Sequence, residues 1–404
     1  MLDRFAKLFS SLKLTVTLLS LGLVLIFFGT MAQDPLGLHL AQERFFKSFF
    51  VDWLPMKAAI NKTLEMFRIY LPPTTAEQVM RGARIPVFPG GYFIGALLII
   101  NLFAAHLRYY KPGKKKYGIA MIHLGVLLLL VGQFLTDFLS TESAMHIRNG
   151  ETKNYSESDR TWELVVADTT DVDADKVVAI SDHLLRKRRE ITHPELPFSV
   201  RVKTFYGNSA LVQKSEAGYQ PVEPTAGIGA GVWWRELPRE TAMDRRDMPS
   251  GIVELQTPKG SLGTYLVSGF LSQPQALTYE GRNYTVELRL QRNYKPFSLQ
   301  LIEFRHDKYP GTDIPKNFSS RVRLQRPDSG ENRETLIYMN NPLRYWGETY
   351  YQASFDPDNQ GTILQVVHNP SWLTPYFSCI LVAGGLMVQF LTHLVGFINK
   401  RRPA

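Results

Sequence analysis

Four long stretches of the chain consist almost entirely of apolar residues, and polar segments separate them. A helix needs about 20 residues to cross the roughly 30 Å hydrocarbon core of a bilayer. Each stretch reaches that length, and within them Asp137 is the single formally charged residue. The pattern predicts four transmembrane helices, at Leu14–Ala32, Val87–Leu107, Gly118–Leu139 and Trp372–Ile398.

Between the third and fourth apolar stretches the pattern changes to short segments rich in alternating apolar and β-branched residues. Gly, Pro, Asn and Asp punctuate these segments, which is typical of strands joined by turns. A β-rich, sandwich-like domain is therefore predicted, with one short helix at ISDHLLRKRRE. The predicted strands are GIVELQ, YTVELRLQ, FSLQLIEF, SSRVRLQ, ETLIYMN, TYYQASF and TILQVVH.

The predicted fold is an α+β integral membrane protein with a large β-rich extracytoplasmic domain inserted between helices 3 and 4. Residues 1–139 form the N-terminal membrane domain, 140–371 the β-rich domain, and 372–404 the last helix with a basic tail. An outer segment, 33–86, contains the roughly amphipathic FFKSFFVDWLPMKAAINKTLEMFRIYL. This sequence is typical of a helix at the membrane surface or of one packed on the soluble domain.

The positive charges orient the predicted helices. The chain has a formal net charge of +9, and eleven basic residues against one acidic residue flank the apolar stretches. They lie in the N-terminus, in the RYYKPGKKKYG loop and in the NKRRPA tail, which the positive-inside rule assigns to the cytoplasm. Residues 33–86 and 140–371 are then extracytoplasmic. A nucleic-acid partner is not expected, because the excess charge belongs to membrane flanks and not to a soluble face.

Two further features bear on processing and chemistry. The first apolar stretch resembles a cleavable signal peptide at Thr30-Met31-Ala32, but its length favours an uncleaved anchor. Cys379 is the single cysteine, which excludes an internal disulfide, a CxxC redox pair, a thiolate zinc cluster and a CxxCH haem attachment site. Lipase-type and zinc-protease motifs are missing too, so we expect a non-catalytic protein.

Three histidines lie inside the apolar stretches, five to seven residues from a flanking lysine: His106 from Lys111, His123 from Lys116 and His393 from Lys400. At 1.5 Å per residue this predicts that His106, His123 and His393 share one depth near the cytoplasmic side. A polar side chain in a membrane usually faces a protein interior or a ligand, and imidazole is a good axial ligand of haem iron. The alternative for each is an interfacial residue or an interhelical hydrogen-bond donor.

Several motifs in order make the chain resemble the ResB (CcsB-type) proteins of system II cytochrome c biogenesis. The resemblance extends over nearly the whole length, and no single motif is specific alone. The motifs are LGLVLIFFGTMAQ, FPGGYFIGALLIINLFAAH, IHLGVLLLLVG, DKYPGTDIPKNFSSRVRL and MNNPLRYWGETYYQASFDPD.

The resemblance implies a function in the bacterial cytoplasmic membrane. ResB-type proteins work with a ResC (CcsA-type) partner, carry haem b across the membrane and help deliver it to apocytochrome c. Synthase activity is expected in the partner, since Trp233-Trp234 is not followed by a tryptophan-rich haem-presenting signature. A membrane histidine of the ResB half ligates haem iron, paired with one from the partner. The candidates are, in order, His123, His106 and His393, the first two as iron ligands.

Two alternatives remain open from the residues. His39, His146 and His368 lie near predicted helix ends and fit a receiving site on the outer face, although surface histidines are the simpler interpretation. The chain also fits a membrane-anchored extracytoplasmic scaffold or ligand sensor without haem. Its short cytoplasmic segments leave no room for a signalling domain.

Overall fold

The computed structural model describes residues 7–109, 116–187, 190–241, 245–312 and 315–401. The chain divides into two compact units. The membrane unit takes residues 1–141, 241–244 and 369–404, and the β unit takes residues 142–240 and 245–368, in each case as far as they are described.

The membrane unit contains four helices that are long and apolar enough to cross a membrane, as predicted. Several short helices, a π-helical turn and two strands lie between the first and the second of these long helices. The helices are α1 Leu12–Leu36, α2 Leu38–Ala41, α3 Trp53–Glu65, α4 Ala76–Arg81, α5 Gly91–Tyr109, α6 Tyr117–Leu139 and α8 Thr374–Arg401, with a π-helical turn Gln42–Phe46 and strands β1 Phe50–Asp52 and β2 Pro86–Pro89.

The second apolar helix begins later than the hydrophobic pattern predicts. Val87 was expected inside it, but this residue lies in β2, which pairs antiparallel with β1. Proline removes a backbone donor and disfavours helical geometry in the residue before it. The prolines at both ends of β2 therefore hold the segment extended, and the helix starts at Gly91.

The amphipathic outer segment packs on the first membrane helix. Helix α3 buries Met56, Ala58 and Ala59 in the same apolar cluster as Leu25 and Leu36 of α1. Burial of this face in the membrane unit is the main stabilising contribution to a short helix, because isolated helices of this length are marginal. The structure thus places one face of this helix against α1 within the membrane unit.

Helices α6 and α8 are held together by glycines at heptad spacing. Gly118, Gly125 and Gly132 are all buried on α6. A Cβ atom at Gly118 would lie 2.7 Å from the Gly385 carbonyl oxygen, and one at Gly125 would lie 2.7 Å from a Val382 methyl group. Small residues let helix backbones approach closely where the hydrophobic effect gives no drive for association. The seven-residue spacing keeps this seam on one face of α6.

The β unit contains one short helix, α7 Asp182–Arg186, at the predicted position, and strands in three sheets of ten, four and three strands. The strands are β3 Thr141–Arg148, β4 Thr152–Asp168, β5 Lys176–Ser181, β6 Glu190–Ile191, β7 Ser199–Tyr206, β8 Ser209–Val212, β9 Gln220–Pro221, β10 Trp233–Glu236, β11 Ser250–Thr257, β12 Gly260–Ser268, β13 Gln275–Tyr279, β14 Arg282–Lys308, β15 Pro315–Arg326, β16 Glu331–Tyr338, β17 Leu343–Tyr345, β18 Glu348–Phe355 and β19 Gly361–His368.

Two large apolar cores and one small cluster (Val222, Trp234 and Leu266) fill the β unit, and strand β14 contributes residues to both large cores. The first core lies between β4, β5 and the start of β14 on one side and β7, β11 and β12 on the other. The second core is formed by β3, the end of β14, β15, β16, β18 and β19. The predicted β-rich domain is thus confirmed, with its strands in three sheets around two large cores and one small cluster.

Strand β14 unites two segments, YTVELRLQ and FSLQLIEF, that were predicted as separate strands. Pro296 lies between the two predicted strands, yet β14 runs without interruption from Arg282 to Lys308 and includes this proline. The pairing of β14 with β4 shifts register between Leu290 and Arg292 and again between Tyr294 and Leu299. Pro296 lies within the second shift, where the ladder requires no N–H from this residue, so proline is tolerated.

A largely buried ion pair lies beside the second core. The Lys295 ammonium bonds to the Glu348 carboxylate, and the two side chains are only 9% and 13% exposed. The Tyr350 phenol donates to the other oxygen of Glu348 at 2.7 Å. Burial, and then the Glu348 charge, raise the pKa of Tyr350 above its ordinary value, so the phenol remains a donor.

We predict that Gly125→Leu separates α6 from α8. The added side chain would meet the backbone of α8, and overpacking of this kind typically costs about 1–3 kcal/mol. The measurement is thermal unfolding in detergent. Gly22→Leu is the matched control, because a Cβ atom at Gly22 of α1 has no heavy atom within 4 Å. Equal melting temperatures in the two variants would contradict this packing.

We predict that Lys295→Met destabilises the β unit by about 3–5 kcal/mol, because it leaves the Glu348 charge buried without its cation. The double variant Lys295→Met/Glu348→Leu should recover much of this loss, since an apolar replacement of a whole buried pair is often neutral. Chemical denaturation of both variants gives the comparison. A double variant that is less stable than the single one would disprove the coupling.

Candidate functional site

The structure brings two of the predicted histidines together. The imidazole rings of His106 on α5 and His123 on α6 have centres 6.2 Å apart and planes inclined at 74°. Helix α5 ends at Tyr109 and α6 begins at Tyr117, so the chain reverses over a few residues. Histidines close to both ends of such a short connection necessarily lie at similar depth.

The two imidazoles lie at the periphery of the helices of this chain. His106 is half-buried, whereas His123 is exposed. In a helix that crosses hydrocarbon, an exposed imidazole is costly unless a ligand or a second protein covers it. His123 is therefore placed to act towards something outside this chain, and His106 lies directly beside it.

His393 lies elsewhere along the bundle. The register of α6 against α8 places His123 level with Val382, about eleven residues from His393. At 1.5 Å per residue the separation along the helix axis is about 16 Å. The His393 Nε2 atom is 2.7 Å from the side-chain nitrogen of Gln389, one turn away. The expected common depth therefore holds for His106 and His123 and is wrong for His393.

A buried asparagine fixes the helix that carries His106. Asn101 is 2% exposed, and its amide nitrogen donates to the Phe9 carbonyl at 2.7 Å and to the Ser11 carbonyl at 3.2 Å. Its side-chain oxygen accepts from the Thr15 hydroxyl at 2.6 Å. These bonds attach α5 to the first turn of α1. Asn101 was not predicted, although an amide in an apolar helix is itself a signal of interhelical bonding.

At the other end of α6, Asp137 is partnered within the chain. The Tyr92 phenol donates to one carboxylate oxygen, and the Lys47 ammonium lies 3.2 Å from the other. The carboxylate side chain is 17% exposed. Asp137, the single charged residue of the four apolar stretches, is therefore paired within this chain.

The histidines of the β unit have local partners. The His146 Nε2 atom lies 2.9 Å from the Asp356 carboxylate, and the His368 Nδ1 atom lies 3.1 Å from the Gly347 carbonyl oxygen. Trp234, in β10, is buried against Tyr206, with ring centres 4.7 Å apart. Structural roles account for each of these contacts.

The donor set of the His106–His123 pair suits some metals better than others. Among the described residues, no group of three or more His, Cys, Asp or Glu side chains is placed to hold a metal ion. Structural zinc sites use four protein ligands and catalytic ones three, whereas haem iron already has four porphyrin nitrogens and takes its remaining ligands at axial positions. The pair fits the requirements of haem.

Comparison with known proteins gives two matches. The ResB-like family matches residues 275–363, which run from β13 into β19 and supply much of the second core. Protein NrfI of Wolinella succinogenes is 24% identical over 293 residues, covering 67% of this chain and 27% of NrfI. The chain thus spans about a quarter of the length of that relative. Residues 275–363 thus match the ResB-like family model, and two thirds of the chain is similar to NrfI, in agreement with the resemblance that the motifs carry.

Proposed function

We propose that this chain is a cytochrome c biogenesis subunit that handles haem together with a ResC/CcsA-type membrane partner. In this proposal it carries haem b across the bacterial cytoplasmic membrane and helps to deliver it to apocytochrome c. The ResB likeness supports the process. The observation that carries the haem assignment is the meeting of two imidazoles from separate apolar helices, with ring centres 6.2 Å apart.

The spacing of the two rings suits a shared iron. Imidazole–metal bonds are about 2.0–2.1 Å long, so two imidazoles on opposite sides of one iron have ring centres about 6 Å apart. His123 is the proposed principal ligand, because it is exposed and can meet a partner's imidazole. His106 is in reach of the same iron, either as the second ligand or as the residue that positions His123. His393 is too far along α8 to join them.

Cationic residues near this end of α5 and α6 support the proposal. Haem carries two carboxylates, which Lys and Arg bind through charge-assisted hydrogen bonds. Arg108 lies two residues beyond His106, and Lys116 precedes α6. The remaining lysines of the predicted basic loop, Lys111, Lys114 and Lys115, lie outside the described residues.

The orientation that we propose follows from the same charges. The basic ends of α5, α6 and α8 face the cytoplasm, and the β unit lies on the extracytoplasmic side. The histidine pair then lies near the inner leaflet, where haem made in the cytoplasm enters. The β unit lies where apocytochrome c is available, and the family match falls within it.

We predict that the protein purified with its ResC-type partner shows a bis-imidazole haem spectrum. His123→Ala should lower haem occupancy at least tenfold, because it removes the proposed principal ligand. His106→Ala should lower it less if His106 only positions His123, and equally if both bind iron. Absorbance of the reduced complex gives the occupancy.

His393→Ala is the matched control, since it removes an imidazole from an apolar helix about 16 Å away along the axis and should leave the spectrum unchanged. Added imidazole should restore absorbance to His123→Ala. If the double variant His106→Ala/His123→Ala kept full haem occupancy, the ligand assignment would be wrong and the scaffold alternative would stand.

We predict that Ser329→Cys, in a Cys379→Ser background, reacts with a membrane-impermeant maleimide in intact spheroplasts, because Ser329 is an exposed residue of the β unit. Lys7→Cys, ahead of α1, should react only after lysis. Mass-tagging on gels measures both reactions. The reverse pattern would invert the proposed topology.

A further inference from the structure

A cleft opens between α5 and α6 at the end of these helices that is remote from the histidine pair. Its volume is about 380 Å³. The walls are apolar and include Phe46, Ile99, Leu130 and Phe134. Gly95 also lines it, and a Cβ atom at Gly95 would have no heavy atom within 4 Å. The missing side chain of Gly95 thus contributes to the space of the cleft.

The polar end of the cleft carries no net charge. Lys47 and Asp137 form an ion pair with a nitrogen–oxygen distance of 3.2 Å, and Tyr92 donates to the same carboxylate. A lysine ammonium has three protons, so two remain for a ligand. Asp137 offsets the positive charge, which favours a neutral acceptor over an anion.

Two amides in the cleft have no partner among the described residues. Gln42 and Gln133 both line it, and neither side chain makes a hydrogen bond within the described part of the chain. Gln133 lies one turn before Asp137 on the same face of α6. Gln133 is exposed on α6 and Gln42 lies in the π-helical turn, so the amide N–H groups of both are available as donors to a ligand with oxygen acceptors.

Aromatic rings border the polar end. The ring centres of Tyr92 and Phe138 are 5.7 Å apart, those of Tyr92 and Phe134 are 6.1 Å apart, and those of Phe134 and Phe138 are 4.6 Å apart. Clustered aromatic faces suit a flat ring, which can stack on them in offset or edge-to-face geometry.

We propose that this cleft binds the head of a membrane quinone. A quinone is neutral, flat and soluble in lipid, and its two carbonyl oxygens accept hydrogen bonds from an ammonium or an amide. The cleft supplies both kinds of donor, in Lys47 and in Gln42 and Gln133, together with aromatic faces and apolar walls. The volume lies within the range of small-molecule sites, about 300–1,000 Å³. This inference goes beyond the proposed haem function and does not rest on it.

A phospholipid is the competing occupant. Its phosphate is an anion, which would meet the Asp137 carboxylate beside the Lys47 ammonium. A phosphate site normally offers uncompensated cations or several backbone N–H groups. The neutral ion pair and the amides favour the quinone.

The test is retention of decylubiquinone by the full-length protein in nanodiscs, measured by mass spectrometry after washing. The wild type should retain about one molecule per chain. Gly95→Leu should retain at least tenfold less, because its Cβ atom has no heavy atom within 4 Å and the longer side chain takes up space in the cleft. Gly22→Leu is the matched control, because its added side chain also enters open space but on α1, and it should retain the wild-type amount.

Gln133→Leu keeps the shape of the cleft and removes one donor, so it should bind several-fold more weakly while melting like the wild type. Equal retention in the wild type and Gly95→Leu would overturn the proposal. So would full displacement of decylubiquinone by phosphatidylglycerol, or an equal loss in Gly22→Leu. Haem occupancy is measured on the same Gly95→Leu samples, so that a loss of quinone from the cleft can be distinguished from a loss of haem at the histidine pair.

Discussion

A buried polar side chain in a helix that crosses hydrocarbon is costly without a partner, and the hydrogen bonds and ion pair that provide such partners organise the membrane unit. Asn101 satisfies it by bonding to the first turn of α1, and Asp137 by pairing with Lys47 and Tyr92. His106 and His123 meet each other at the periphery. The cost of an unsatisfied polar group in an apolar medium is several kcal/mol, so these few residues fix the relations of α1, α5 and α6.

Different positions on the surface of helix α6 pack against α8 and line the two proposed binding sites. One face carries the buried glycines that admit α8 to close contact. Other positions carry the exposed His123 near one end and Gln133 with Asp137 near the other. Because the glycine seam sets the register of α6 against α8, it also decides that His393 lies apart from the histidine pair. Packing and the proposed haem site are therefore linked through a single helix.

One long strand, β14, connects the two large apolar cores of the β unit, because it contributes buried residues to both. Strand β14 contributes Val286 and Leu288 to the first core and Leu299 and Leu301 to the second. The ResB-like match covers most of the second core and the buried Lys295–Glu348 pair within it. A buried ion pair contributes little net stability compared with apolar residues of the same volume. Here the pair joins β14 to β18, two strands that do not hydrogen-bond to each other as neighbours in the sheet.

The sequence by itself determined the features that depend on local composition: four apolar helices, a β-rich insert, the short helix at Asp182–Arg186 and the ResB likeness. It also predicted a common depth for His106 and His123 from their distances to the flanking lysines, although it placed His393 at the same depth. The sequence did not determine that β14 is continuous at Pro296, that α3 packs on α1, or how far along the helix axis His393 lies from the other two histidines. Only the tertiary structure decided these, because they depend on strand register and helix register, which are set by contacts between residues far apart in the chain.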